Sequence, residues 1–176
     1  MNSTRIKSIA IFLIAGLALY ACQPTQLNKT PEPHPLIGSW EMTSIHWITA
    51  DTTYSIQEAQ PSLFMIDTTR YAIMWTPQDE PRTPFENLSQ PTPEEMQAGF
   101  RSVVFNGGSH TMTDSTLTTT AYIAKVPGFE GGKQFYNYTA ENDQLTLVMF
   151  DETYPDGTKP SWYGKYQTKF ILKRAK

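Results

Sequence analysis

From Leu36 onward the chain alternates apolar and polar residues in short runs, and Thr, Tyr, Phe, Trp, Ile and Val dominate between turn signals. Such runs are half-buried β-strands, because successive side chains of a strand point to opposite faces. They predict strands at 36–49, 62–67, 70–76, 101–106, 109–114, 116–124, 134–140, 144–152 and 162–174. The alternation is clearest in 143–150, where Leu145, Leu147 and Met149 share one face and Thr146, Val148 and Phe150 the other. In the last run Tyr166, Phe170, Leu172 and Arg174 oppose Gln167, Lys169 and Lys173, with Ile171 out of phase. Turn chemistry separates the runs at Asp67-Thr68-Thr69, Gly107-Gly108, Asp114-Ser115 and Glu141-Asn142-Asp143, and Asp156-Gly157 lies within a longer loop. Short links favour antiparallel neighbours and a meander. One-sided burial of this many strands is best met by closing the sheet, so the expected fold is all-β, an antiparallel up-and-down barrel of about 8–10 strands.

One helix interrupts the strands. Thr92-Pro93-Glu94-Glu95 places a capping threonine before a proline at the first helical position, with glutamate three residues after the cap. Met96 and Phe100, four apart, give the short helix an apolar stripe. It follows the Pro-rich loop 76–93, and loop and helix together are expected to close one mouth of the barrel.

The amino terminus follows a different pattern. Arg5 and Lys7 precede the apolar run Ile9–Leu19, which is short for a membrane span and suited to the core of a secretory signal. Leu19-Tyr20-Ala21-Cys22 ends it with a small residue before the only cysteine of the chain. This resembles the lipobox of bacterial lipoproteins, and the resemblance implies cleavage after Ala21 and acylation of Cys22. Two or more acyl chains hold a protein stably on a membrane where one does not. The expected organisation is a signal peptide at 1–21, a lipidated Cys22 with a Pro-rich tether at 22–35, and a folded domain at 36–176. His34, within the tether, reads as a solvated linker residue.

Charge and composition narrow the function. With 14 Lys and Arg against 17 Asp and Glu, the net charge is −3, and loss of Arg5 and Lys7 makes it more negative. A nucleic-acid binder is expected to carry a basic face, so that class is excluded. A sole cysteine leaves neither a disulfide framework nor a Cys-cluster metal site. The histidines are His34, His46 on the first strand and His110 after the Gly-Gly turn, and they lack metal-ligand spacing. Neither a nucleophile elbow nor a phosphate loop occurs. No catalytic residue, metal or cofactor is therefore assigned, and the chain is read as leaning away from an enzyme.

Leu36-Ile37-Gly38-Ser39-Trp40 resembles the Gly-x-Trp opening of lipocalins. The resemblance implies that Gly38 permits a close approach, that Trp40 plugs the closed end and that Arg174 reaches across it from the last strand. Gln60–Asp67 with Arg70–Met74, Thr92-Pro93-Glu94-Glu95, Thr116–Thr119, Ala124–Pro127 and Leu145-Thr146-Leu147 resemble segments of bacterial lipocalin-like domain proteins. Val104-Phe105-Asn106-Gly107-Gly108 stands where that family often carries a small-residue motif.

Eight-stranded barrels are either filled by side chains or hold one small ligand. Phe64, Tyr71, Ile73, Met74, Trp75, Phe105, Tyr122, Phe135 and Tyr138 are the candidate lining residues. The first reading is a membrane-anchored barrel that binds a small hydrophobic or amphipathic ligand. Bulky side chains filling the interior would instead indicate a cell-envelope scaffold or partner-binding module. Convergent polar groups in a pocket would indicate a small isomerase or cyclase. The expected location is the cell envelope, at the outer membrane if the source is Gram-negative, since Gln23 replaces the aspartate that retains many lipoproteins at the inner membrane.

Overall fold

In the computed structural model, residues 34–176 are described. The expected signal peptide, Cys22 and the tether up to residue 33 lie outside the described residues. The alternating segments form nine strands: β1 (Gly38–Ile48), β2 (Thr53–Ile56), β3 (Leu63–Ile66), β4 (Arg70–Trp75), β5 (Val104–Met112), β6 (Thr116–Ala124), β7 (Lys133–Glu141), β8 (Gln144–Thr153) and β9 (Gln167–Arg174). Every pairing is antiparallel, each strand from β3 to β9 pairs with the next, and β9 pairs back with β1 to close the barrel.

Two strands share one edge of β1. β2 pairs with its second half, from Ile45–Ile56 to Ile48–Thr53, and β3 with its first half, from Gly38–Ile66 to Trp40–Phe64. β2 and β3 are thus one interrupted stave of an eight-stave barrel. The interruption, 57–62, stays tied to β1: Ala59 N–H donates to the Thr43 carbonyl at 3.0 Å and Met42 N–H to Ser62 Oγ at 2.8 Å.

Three boundaries differ from the sequence expectation. The strands expected at 101–106 and 109–114 are the single strand β5. Gly107-Gly108 is not a turn: it lies within β5 opposite a bulge in β6, where Tyr122 is the extra residue between Ala121 and Ile123. A Cβ on Gly108 would overlap the Thr120 carbonyl oxygen, so the glycine answers to a close backbone approach inside the sheet. β2 was absent from the strand expectation because TYSI is short and three of its four residues are exposed. The last strand begins at Gln167, since 162–165 form turns.

Inside the barrel, alternate residues of each stave meet. Trp40, Phe64, Leu117, Leu145, Leu147, Phe170 and Leu172 are fully buried. Burying an apolar side chain of this size contributes about 1.5–3 kcal/mol. The helix α1 (Pro93–Arg101) carries the expected capping box, with Glu95 N–H donating to Thr92 Oγ1 and Thr92 N–H to Glu95 Oε2. None of its residues is buried, and Met96 and Phe100 stay about half exposed. It therefore does not plug a mouth as expected.

The two ends of the barrel differ. One has tight links, at 67–69, 113–115 and 142–143, and receives the chain at His34–Ile37. Asn142 and Asp143 sit at φ 48° and 63°, the two positive values that a type I′ hairpin requires. Long segments, 76–92, 125–132 and 154–166, gather at the other end.

Candidate functional site: the cavity at the open mouth

The closed end is a seal. Gly38 sits at φ 141°, a backbone conformation that residues with side chains rarely adopt, and a Cβ there would stand 2.6 Å from Arg174 Nη1 and displace the guanidinium. The Arg174 guanidinium lies 4.2 Å from the centre of the Trp40 ring. Its nitrogens donate to Asp143 Oδ1 at 2.8 Å, the Ile37 carbonyl at 3.2 Å and the Pro35 carbonyl at 3.1 Å. Trp40 Nε1 donates to the Leu36 carbonyl at 2.9 Å. Every polar group in this layer that would be costly to bury has a partner. His34 is part of it and not a solvated linker residue: its Nε2 meets Tyr138 Oη at 3.1 Å, and its Nδ1 accepts from Leu36 N–H.

The expected lining residues divide into three groups. Phe64, Tyr71, Ile73 and Tyr138 point inward but are packed into the core. Trp75 packs edge-on to Phe170, with ring centres 5.2 Å apart. Met74, Tyr122 and Phe135 do not line the interior. Met74 alternates with the inward Ile73 and is exposed, and Tyr122 lies outside under Arg70, whose guanidinium is 4.9 Å from its ring. Phe135 alternates with buried Gln134 and Tyr136, so its face is the outer one. The physical reason is alternation within each strand. Met74 is next to inward Ile73, Tyr122 next to buried Ala121, and Phe135 between buried Gln134 and Tyr136, so none of the three can share the inner face with those neighbours. Phe105 lines the mouth cavity described next.

The bulge at Phe135/Tyr136 builds the site. Tyr136 pairs with Met149 and Phe135 with Asp151, leaving Phe150 as the extra residue. Without it, the alternation Leu145, Leu147, Met149 would send Asp151 inward. With it, Asp151 faces out to Lys159 Nζ at 2.5 Å, and Glu152 turns in beside Gln134.

Glu152 ends a hydrogen-bonded chain that crosses four strands. Tyr71 Oη donates to Asn106 Oδ1 at 2.6 Å, and Asn106 Nδ2 to Gln134 Oε1 at 3.3 Å. Tyr136 Oη donates to the same Gln134 oxygen at 2.9 Å, and Gln134 Nε2 to Glu152 Oε2 at 2.8 Å. Tyr71, Asn106, Gln134 and Tyr136 are all buried. Burial pushes the Tyr71 hydroxyl up to about 12 and that of Tyr136 well above the usual tyrosine range, so both remain donors at any physiological pH. Burial also raises the Glu152 carboxyl above its ordinary range, opposed by hydrogen bonds from Gln134 and Trp162 and reinforced by the nearby Asp151 charge.

This chain forms the floor of a cavity of about 240 Å³. β6 and β7 pair only from Thr116–Asn137 to Thr120–Lys133, and the loop 125–132 spans the space between them. Asn106, Gln134 and Glu152 line the cavity with Phe105, Phe129, Tyr154 and Val126, and Lys125 is the cation among its lining residues. Phe129 and Tyr154 stand perpendicular, 6.3 Å between centres. The Lys125 ammonium lies 4.5 Å from the Phe100 ring centre. Chemically, the cavity presents a carboxyl to a hydrogen-bond donor and aromatic faces to an apolar body.

A separate apolar groove of about 540 Å³ opens where β2 gives way to β3, lined by Pro61, Leu63, Met74, Trp75, Pro81 and Arg82 among others. Among the described residues no three His, Cys, Asp or Glu side chains converge as metal ligands. His46 bonds the hydroxyls of Ser44 and Ser55, and His110 lies within β5, its Nε2 2.8 Å from the Asp67 carbonyl.

Asn106, Gln134, Tyr136 and Glu152 were not among the residues expected from sequence. Gln134, Tyr136 and Tyr138 share one period-two face, a signal open to reading. Glu152 carried none, since only the bulge turns it inward.

No family model and no curated protein matches the chain. Among solved structures it is similar to an uncharacterized protein from Bacteroides eggerthii DSM 20697, at 11% identity over 79% of this chain and 98% of that one, with a TM-score of 0.38. A likeness this distant says nothing about function.

Proposed function

We propose that this chain is a membrane-anchored lipoprotein whose lipocalin-like barrel binds a small amphipathic molecule in the cavity at its open mouth. The observation that carries the reading is the buried chain Tyr71–Asn106–Gln134–Glu152, which delivers a carboxyl to the floor of an aromatic-walled cavity. Pockets with apolar walls and a few fixed polar groups are the usual form of small-molecule sites. At about 240 Å³ the cavity is small beside the usual range of about 300–1,000 Å³, which favours a compact ligand over a long acyl chain. The filled barrel below it points the same way. The lipobox-like Leu19–Cys22 supports the anchor, and Gly38, Trp40 and Arg174 support the lipocalin-like reading. His34–Ile37 enter the barrel at its closed end, opposite the mouth cavity.

The packed core also favours a second reading, a scaffold whose barrel holds nothing. Native mass spectrometry of the 23–176 chain from a gentle lysate separates the two. A discrete extra mass that is lost on denaturation is expected. A clean apo mass, unchanged after exposure to fatty acids, phospholipids and hydrophobic dyes, would favour the scaffold. The anchor has its own test: Cys22→Ser is expected to lose the acyl mass and move the protein from the membrane to the soluble fraction.

A further inference from the structure

The mouth cavity contains a carboxyl that makes no ion pair among the described residues, although Lys125 also lines it. This group, Glu152, accepts a hydrogen bond from the neutral Gln134 Nε2 at 2.8 Å. Even a partly buried carboxylate without a counter-ion is costly to hold, and Glu152 is half-buried. Beside it stand Phe105, Phe129 and Tyr154. Aromatic faces attract cations through the ring quadrupole, most strongly where water is excluded.

We propose that this cavity takes a small organic ammonium with an apolar body, its N–H groups bonded to the Glu152 carboxylate and its carbon frame against Phe105, Phe129 and Tyr154. The inference rests on the ligand-binding reading above and names its ligand class. Lys125 is the group that opposes it, as a like charge among the lining residues. Its ammonium already engages the Phe100 ring, and burial lowers its proton affinity.

Calorimetric titration of the full chain in detergent micelles, with micelles alone as reference, tests this with matched probes: 2-phenylethylammonium, 3-phenylpropanoate and 3-phenylpropanol. The ammonium is expected to bind at least tenfold more tightly than the carboxylate. Glu152→Gln is expected to weaken the ammonium tenfold or more while changing the alcohol little. Phe129→Leu, a substitution in the mouth loop, is expected to weaken it severalfold, and provides the test if the Glu152 variant fails to fold. A carboxylate that binds more tightly than the ammonium would overturn the ammonium class and leave the ligand-binding reading standing. So would an ammonium affinity unmoved by Glu152→Gln. If no probe binds, the ammonium class falls. The native mass of the purified protein then decides the broader reading: a retained ligand preserves it, and a clean apo mass removes both.

Discussion

The two ends of this barrel are built from the same strands and put polar groups to opposite uses. At the closed end Arg174 is paired with Asp143, with each of its other two nitrogens on a backbone carbonyl and its flat face on Trp40. At the mouth the Glu152 carboxyl has only neutral partners and opens into a cavity. A charge whose partners are all intramolecular fixes a structure. A charge left unbalanced in a pocket is a place for something else to bind. The contrast teaches where to look for function in a barrel with no catalytic constellation: at the end where the polar groups are not all used up.

The largest expected effect is at the seal. Trp40 is fully buried and its ring supports Arg174, so Trp40→Ala is expected to cost about 3–5 kcal/mol, read by urea denaturation. Next is the glycine opposite the β6 bulge. A methyl group on Gly108 would overlap the Thr120 carbonyl oxygen, forcing β5 and β6 apart, and Gly108→Ala is expected to cost about 2–3 kcal/mol by the same measurement. Arg174→Met keeps the stem over Trp40 and removes the hydrogen bonds to Asp143, Ile37 and Pro35. It is expected to cost roughly 1–2 kcal/mol, with most of the loss insensitive to salt because two of the three acceptors are carbonyls.

The smallest effect sharpens the contrast, because its sign is reversed. The folded state holds the Glu152 proton to a higher pH than the unfolded chain, where the carboxyl titrates near 4.5. Between those two titrations the native protein binds more protons, so stability falls as pH rises through them. Gln134, Trp162, Asp151, Tyr136 and Tyr166 surround Glu152 without a positive charge. Of the two nearby lysines, Lys159 is held by Asp151 and Lys125 lies against the Phe100 ring, so neither is paired with Glu152 to offset this loss. Glu152→Gln is accordingly expected to melt above the wild type at neutral pH and to converge with it below the unfolded-state titration. Thermal melts across acidic to neutral pH check both halves. At the seal, by contrast, every substitution is expected to destabilise.

Much of the scaffold was legible in the chain. The runs of strand residues located seven of the nine strands to within a few residues, divided β5 into two and missed β2, and Thr92–Glu95 located the helix start through its own capping chemistry. The barrel followed because so many one-sided strands leave no other way to remove edges. What escaped reading was phase. Alternation fixes which residues share a face only until a bulge adds one, and three bulges interrupt the ladders, at Met42/Ser44, Gly107/Gly108 and Phe135/Tyr136. Gly107-Gly108 reads as a turn because turns favour glycine, yet here the missing side chains admit the backbone of the bulge that Tyr122 makes in β6. Glu152 went unnoticed because a bulge turns it inward, whereas Tyr122 and Phe135, expected inside, face outward because each adjoins a buried residue of its own strand, Ala121 and Tyr136. His34 was read by composition as tether, yet its ring nitrogens close the last contacts of the seal with Leu36 and Tyr138.

The most direct test of the division between a filled barrel and a receptive mouth is methyl chemical-shift mapping of the 23–176 chain with a small-molecule extract of the source cell envelope. Saturable shifts confined to Val104, Ala124 and Val126 around the cavity are expected. Shifts centred on Leu145, Leu147 and Leu172 would contradict it, because they would place a ligand in the barrel interior that those side chains fill.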